Sequence, residues 1–281
     1  MLDATVIVPT EANTLCTLPY LYNGLKAQTN KNFELIIVLK PSDHLDIKQI
    51  ENSLTCLPFK SKLIVQQNGG FTKALNLGKA NATGKLTIFT DADAIPLKEW
   101  IQNYVNLFDY SPETGAISSR DIYIKMPIQK EFFNLVDRGV LGRMVRSIAS
   151  RTSRLPHENL QQCWHGVYID RSFRVQIGSY IPFRDCLSLP YKGVNMSFRS
   201  KAIKEVSFLE HPLLKRYPWN EQYLGIQVVR KGWMSFFVFD NPVYHIWRGN
   251  LTRIYDKGAS NKHRLEKIAM RQTIEILIKN K

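Results

Sequence analysis

The chain has 281 residues, of which 44% are hydrophobic and 22% charged, proportions that support a full-sized core and exclude disorder as the main state. Its four cysteines, Cys16, Cys56, Cys163 and Cys186, are too few and too scattered for a disulfide scaffold, and no C-x-x-C pair suggests a structural zinc site. A formal net charge of +14 at pH 7 points instead to an anionic partner: a nucleotide, a nucleic acid or an acidic membrane surface.

No apolar run approaches the ~18–20 residues needed to span a bilayer. Met1-Leu2-Asp3 opens without the basic and apolar regions of a signal peptide, and the cysteines read as reduced. The expected location is therefore cytoplasmic. Residues 248–281 carry nine Lys or Arg against three Asp or Glu. That basic tail is either a solvated helix face or a contact with phosphate or with the cytoplasmic face of an anionic membrane.

In chain order, the β-branched run Ala4-Thr5-Val6-Ile7-Val8 predicts a buried strand ending at Pro9-Thr10. Residues 13–28 predict a helix. Phe33-Glu34-Leu35-Ile36-Ile37-Val38-Leu39 predicts a second strand, stopped by Pro41. Lys62-Leu63-Ile64-Val65 predicts a third, and 72–82 a helix ending near Gly84. Leu86-Thr87-Ile88-Phe89-Thr90 predicts a fourth strand that runs straight into Asp91-Ala92-Asp93. Apolar strands alternating with helices imply a parallel sheet covered on both faces. Ligands of such sheets bind beyond the carboxyl ends of the strands, where Thr10, Lys40 and Asp91 lie.

The segment 126–190 carries Phe132, Phe133, Val136, Val140, Leu141, Met144, Val145 and Ile148 at roughly helical spacing, with Lys130, Arg138, Arg143 and Arg146 interleaved. It reads as helices packed on the sheet or as an amphipathic surface for a membrane or lipid-linked substrate. Beyond it, Asn195-Met196-Ser197-Phe198 leads into a helical stretch to about Val206. A further helix is expected over 221–230 and a strand over 235–239.

Two carboxylates at i and i+2 just past a buried strand can share one hard cation and its waters, which makes Asp91-Ala92-Asp93 a candidate Mg²⁺ or Mn²⁺ site. Asn68-Gly69-Gly70 precedes a helix carrying Lys73, Asn76 and Gly78. A glycine turn at a helix N-terminus lets backbone N–H groups approach a phosphate.

With these residues in place the sequence resembles family 2 glycosyltransferases of the GT-A fold. The resemblance covers roughly 4–125 and 190–258. It is carried by Val6-Ile7-Val8-Pro9-Thr10, the Asn68-to-Gly84 stretch, Asp91-Ala92-Asp93, Gly193-Val194-Asn195-Met196-Ser197-Phe198-Arg199, Leu224-Gly225-Ile226, Gly232-Trp233 and Val243-Tyr244-His245. It implies an α/β fold with a Rossmann-like, mostly parallel central sheet and helices on both faces. Added to this are a helical insertion and a basic C-terminal helical tail. One domain would hold a nucleotide-sugar-binding half (1–125), the insertion (126–190), an acceptor and catalytic half (191–258) and a basic helix (259–281).

The resemblance also implies roles. Asp91 and Ala92 would sit near the ribose, with Asp91 also near metal-bound water. Asp93 would ligate the metal, with His245 either completing the site or packing as a structural histidine. The family's catalytic carboxylate falls on Glu221, which is also the kind of residue a helix dipole favours in the first turn. Pro9, Thr10 and Glu11 would face the base or ribose. Where the family often shows Asp-Asp, this chain has Leu39-Lys40, so Lys40 is either a phosphate contact or a surface lysine, with Asp43 nearby as a substitute carboxylate. Asn68, Gly70, Lys73 and Asn76 would line the donor. Arg248 and Arg253 would neutralise the leaving diphosphate, and Trp247 would stack on an acceptor sugar or pack in the core.

The implied activity is metal-dependent, inverting transfer from a nucleotide sugar to a glycan or lipid-linked acceptor hydroxyl, with Mn²⁺ or Mg²⁺ as cofactor. Two rivals remain at this stage. A nucleotidyltransferase would need a basic glycine-rich loop after the first strand, and Pro9-Thr10-Glu11-Ala12-Asn13 is not one. A non-catalytic binding scaffold is kept open by the altered Leu39-Lys40 and Asn220-Glu221 positions. Nucleic-acid binding rests on charge alone and is not expected.

Overall fold

A computed structural model describes residues 1–42, 47–125, 131–132, 144–145, 148, 158–212, 214, 217–247 and 257–280. The first half alternates as its pattern dictates. Strand β1 (Ala4–Glu11) leads through a 3-10 turn, Ala12–Thr17, into helix α1 (Leu18–Lys26). Pro19 stands at the start of α1, where a missing N–H costs nothing, and splits the helix expected over 13–28. Then come β2 (Phe33–Lys40), α2 (Ile47–Thr55), β3 (Lys60–Val65), α3 (Phe71–Ala80) and β4 (Leu86–Phe89). Strands β1, β2, β3 and β4 pair in parallel in the order β4-β1-β2-β3.

The second half folds onto the free edge of β4. Its elements are β5 (Ala94–Pro96), α4 (Trp100–Tyr110), β6 (Thr114–Ile124) and β7 (Glu131–Phe132). After them come α5 (Glu158–Gln161), β8 (Val167–Ile169), β9 (Val175–Ile177), β10 (Cys186–Leu187) and β11 (Met196–Arg199). The chain continues with α6 (Ser200–Ile203), α7 (Asn220–Arg230), β12 (Met234–Ile246) and α8 (Lys257–Lys279). Here β11 runs antiparallel between β4 and β6, while β12 runs parallel to β6. The central sheet is thus mixed: parallel through β1–β4, with antiparallel neighbours beyond.

Period-2 alternation divides the core. Ala4, Val6, Val8, Leu35 and Ile37 face α1 and α4, where Leu21, Leu25, Trp100 and Tyr104 are fully buried. Ile7, Ile36 and Val38 face the other way, onto Ala74 and Leu75 of α3 and Leu224 and Val228 of α7. Helices cover both faces, as expected.

The expected helical insertion over 126–190 is described only in part. It holds the four-residue α5, helical residues at 144–145 and 148, and an antiparallel hairpin of β8 and β9. Val167, Ile169, Leu160 and Leu189 pack there on Ile226 and Val229 of α7 and Ile274 of α8. The helical expectation rested on 132–148, most of which lies outside the described residues.

The strand expected over 235–239 extends to Ile246. Its register against β6 shifts between Val238 and Val243, a bulge that re-aims the strand so that His245 pairs with Ala94 of β5 and Tyr123 of β6.

Candidate active site

The Asp91–Asp93 turn leaves the C-terminal end of β4, as open α/β sheets place their ligand sites. Neighbours hold it on several sides. The Thr90 N–H donates to the Ile7 carbonyl at 3.1 Å, and the Thr90 hydroxyl to the Val194 carbonyl at 2.8 Å. Thr17 Oγ1 donates to the Ala92 carbonyl at 2.8 Å, and the Ile246 N–H to the Asp93 carbonyl at 2.9 Å. The last bond brings β12 against the turn.

Asp91, Asp93 and His245 offer ligand atoms that all lie within 4.8 Å of one another. Asp93 is buried, and its Oδ1 lies 3.4 Å from His245 Nε2. Behind the imidazole, Asp121 Oδ2 lies 2.9 Å from His245 Nδ1, and Asp121 Oδ1 lies 2.5 Å from Lys192 Nζ. Tyr123 stacks on the imidazole with centroids 5.0 Å apart, and Trp247 meets the Tyr123 ring edge-on.

Burial alone would pull His245 down. The hydrogen bonds and charges of Asp121 and Asp93 outweigh it and raise the imidazole to about 10. Burial likewise pushes Asp121 upward, but His245 and Lys192 win and hold it well below the usual carboxylate range. Two carboxylates and one oriented imidazole form a donor set that suits Mn²⁺ and, less well, Mg²⁺. A carboxylate behind a ligating histidine fixes which nitrogen faces the cation. The residues therefore fit a divalent metal.

Glu221 stands in the first turn of α7. Its side chain keeps an opening to solvent but is packed on most sides, and burial pushes its carboxyl up to about 7. Hydrogen bonds from its own backbone and Gln222 oppose the rise, and the Asp91 charge adds to it. Glu221 and Asp91 thus share one electrostatic neighbourhood although 130 positions separate them. Gln222 is anchored by donating to the carbonyls of Pro190 at 2.6 Å and Tyr191 at 3.2 Å.

The approach to α7 is strained. Tyr217 (φ 46°) and Trp219 (φ 64°) both lie in the left-handed region, which costs a bulky side chain about 1–3 kcal/mol each. That turn meets the glycine loop. A Cβ added to Gly70 would lie 2.9 Å from the Tyr217 ring, so only glycine lets the two approach. Gly69 has φ +96° and turns the chain into α3.

The other residues singled out in the sequence fall into four groups. Pro9, Thr10, Glu11 and Lys40 do gather at the ends of β1 and β2. Glu11 and Lys40 are register partners and exposed, and Thr10 is buried. Asn68 accepts from Lys73 Nζ, so these two steady the glycine loop. Asn76, expected at the donor, is a correction: its amide donates to the Phe208 carbonyl and Glu210 and accepts from the Phe208 N–H, all at 2.8–2.9 Å. It pins the 208–210 segment to α3. Arg248, Arg253 and Asp43 lie outside the described residues.

Sequence reasoning missed Asp121 and Lys192. Asp121 and Tyr123 alternate on β6, and recognising that strand would have set both beside His245. It also missed what Asn195 does. Its side chain accepts from Trp100 Nε1 and the Tyr104 hydroxyl and donates to the carbonyls of Arg120 and Asn241. All four hydrogen-bonding positions of this buried amide are used, joining α4, β6, β11 and β12 behind the site.

This is the architecture of the GT-A fold. Residues 5–175 match the sequence model of glycosyl transferase family 2, and the chain belongs to that family. The match runs through much of the segment that sequence motifs left unassigned. An uncharacterized glycosyltransferase of Nostoc sp. is 34% identical over 100 residues, 36% of this chain and 31% of that protein. Among solved structures, GalNAc-T7 with UDP, GalNAc and Mn²⁺ superposes with a TM-score of 0.66 at 15% identity, over 88% of this chain and 44% of that one. S. aureus TarS with UDP-GlcNAc gives 0.58 at 16% over 97% and 70% of the two chains. The Pyrobaculum calidifontis mannosyltransferase PcManGT with GDP-Man and Mn²⁺ gives 0.58 at 16% over 95% and 63%. These likenesses show the fold. The chain spans about a third of the Nostoc protein and under half of GalNAc-T7.

Proposed function

We propose that this chain transfers a sugar from a nucleoside-diphosphate sugar to an acceptor hydroxyl of a glycan or lipid-linked molecule, inverting the anomeric configuration. The carrying observation is Glu221, pushed up to about 7 at a helix start and coupled to Asp91 of the carboxylate and imidazole cluster. A general base works best with a pKa near the working pH.

Asp91, Asp93 and His245 would hold Mn²⁺ or Mg²⁺, which when bound supplies the positive charge a diphosphate needs to bind and to leave. The Asn68–Gly70 turn and the start of α3 would cradle phosphate, with Lys40 as a further phosphate contact, and Pro9, Thr10 and Glu11 the nucleoside side. Glu221 takes the proton from the acceptor hydroxyl. The acceptor oxygen bonds to the anomeric carbon as the bond from that carbon to the phosphate oxygen breaks. Arg248 keeps its assignment to the leaving diphosphate. Two other carboxylates are engaged elsewhere: Asp185 accepts the Phe239 N–H at 2.7 Å and Glu210 the Asn76 amide.

No helix among the described residues is long and apolar enough to cross a membrane. The proposed location is the cytoplasm, with peripheral contact at an anionic membrane face.

The test is incubation with UDP- and GDP-sugars, Mn²⁺ and a panel of sugar and lipid-linked acceptors. Nucleoside diphosphate should be released, and the product's anomeric configuration, read by NMR, should be opposite to the donor's. Retained configuration would rule out direct displacement. Absence of transfer across the panel would favour a binding scaffold on this fold.

A further inference from the structure

The outer face of α8 serves no purpose in the site described above. The inner face is accounted for: Met270 packs with Leu214 and Tyr217, Ile274 packs beside Ile226 and Val229, and Glu266 accepts the Tyr217 N–H at 3.2 Å. On the outer face three large aliphatic side chains lie open, Leu265 at 62%, Ile268 at 42% and Ile276 at 60% exposure. At about 100° per residue, positions 265, 268, 272 and 276 fall within a strip roughly 80° wide.

Charge says what covers that strip. Lys262, Arg264, Lys267, Arg271 and Lys279 are exposed on the same helix. Its two described acids are drawn off: Glu266 is turned inward, and Glu275 is half-buried against Lys279 at 2.6 Å. Among the described residues of α8, every exposed charge is therefore positive. A strip of aliphatics edged by cations matches the boundary between lipid headgroups and acyl chains, where apolar burial and attraction to anionic lipid act together. The chain's net charge of +14 adds a favourable long-range field.

We propose that the outer face of α8 docks the chain on an anionic lipid surface, with Leu265, Ile268 and Ile276 entering the interface and Arg264 and Arg271 facing the headgroups. The inner face of the same helix braces Tyr217, at the start of the turn that leads to Glu221. Docking therefore favours an acceptor presented at the lipid surface. That last step rests on the transferase reading, whereas docking itself does not.

The experiment is co-sedimentation of the full chain with vesicles of phosphatidylcholine, alone or with about one-third phosphatidylglycerol. Binding is expected to the anionic vesicles only, and to weaken as salt rises from about 0.1 M, where the Debye length is ~10 Å. Two variants are measured beside the wild type. Leu265→Ser/Ile268→Ser/Ile276→Ser should weaken binding more than tenfold. Arg264→Gln/Arg271→Gln should weaken it roughly 25-fold, about fivefold per cation. These positions are exposed, so both variants should melt with the wild type and release nucleotide from soluble donor at its rate. Donor turnover and vesicle binding can thus fail separately. Lack of binding to anionic vesicles, equal binding to neutral ones, or wild-type binding by either variant would overturn the proposal. So would a wild-type dimer that the triple substitution turns into a monomer, since a second copy would then cover the strip.

Discussion

Replacing Glu221 by Gln should make this protein a poorer catalyst and a more stable fold, and pH should separate the two effects. Burial, helped by Asp91, raises the carboxyl from 4.5 to about 7. A rise of that size disfavours the ionised side chain in the folded protein by ~3 kcal/mol. The sign follows from proton binding. Below pH 4.5 the group is neutral folded or unfolded, and the stability it contributes is fully present. Between 4.5 and 7 the unfolded chain releases a proton that the folded chain retains, so stability falls as pH rises and stays lower above 7. Gln cannot ionise and escapes that loss. In chelator, the variant should match the wild type near pH 4.5 and gain on it up to about pH 8. The ceiling on that gain is ~3 kcal/mol, because the side chain keeps an opening to solvent. For 281 residues this is about 5 °C in Tm. Transfer should behave oppositely. The wild-type rate should climb through about pH 7 as the base ionises, and Glu221→Gln should lose ~10²–10⁴ of it with donor affinity nearly unchanged. Thermal melts and transfer rates across that pH range check both halves. Equal melting of the two proteins at every pH would show that the surroundings do not hold Glu221 neutral. Wild-type transfer by the variant would move the base elsewhere.

Asp93→Ala should abolish calorimetric Mn²⁺ binding and transfer together, and excess EDTA should silence the wild type in the same way. Asp121→Asn keeps the shape behind His245 but removes its charge. Mn²⁺ affinity should fall about 10–100-fold by titration calorimetry, a typical cost of losing a carboxylate behind a histidine ligand. Unchanged affinity would mean that Asp121 only fills space. Gly70→Ala forces a methyl against the Tyr217 ring, and a melt should show a loss of ~1–3 kcal/mol. Donor affinity should weaken in parallel, because the same contact joins the glycine loop to the turn before Glu221.

The parallel half of the fold was legible because its inner strands are buried on both faces and read as apolar runs, Phe33 to Leu39 above all, while the edge strand β3 still shows Leu63-Ile64-Val65. The elements that went unread lack that signature. Strand β6 contains Ser118, Ser119, Arg120 and Asp121, polar residues that are buried or half-buried: Ser118 accepts the Tyr191 N–H, the Arg120 carbonyl accepts from Asn195 and Asp121 backs His245. Helix α4 was missed although Trp100, Tyr104 and Phe108 mark its inner face at helical spacing. The site divides in the same way. Asp91, Asp93, His245 and Glu221 could be nominated because a motif fixes their positions. Asp121 and Lys192 act through tertiary contacts with no local pattern, and Asn76 was misassigned because a helix position near a phosphate loop does not say which way an amide turns.

The charge of the whole chain misleads about its centre. A surplus of +14 suggests a surface that draws anions anywhere, yet the candidate site concentrates acids. Among the described residues, Asp91, Asp93, Asp121 and Glu221 gather here with the basic groups His245 and Lys192. A diphosphate brought to such a cleft meets repulsion unless a cation enters with it. The cluster also makes that entry depend on acidity. Because Asp93 and Asp121 raise His245 to about 10, a metal must displace the imidazole proton to use Nε2, and its affinity should fall as pH drops. Glu221 follows the same field. Asp91 holds its carboxyl up, so a cation shared by Asp91 and Asp93 would relieve part of that rise and let Glu221 ionise more readily. Holding the donor's cation and freeing the acceptor's base are then coupled through one carboxylate, Asp91, at the end of a buried strand.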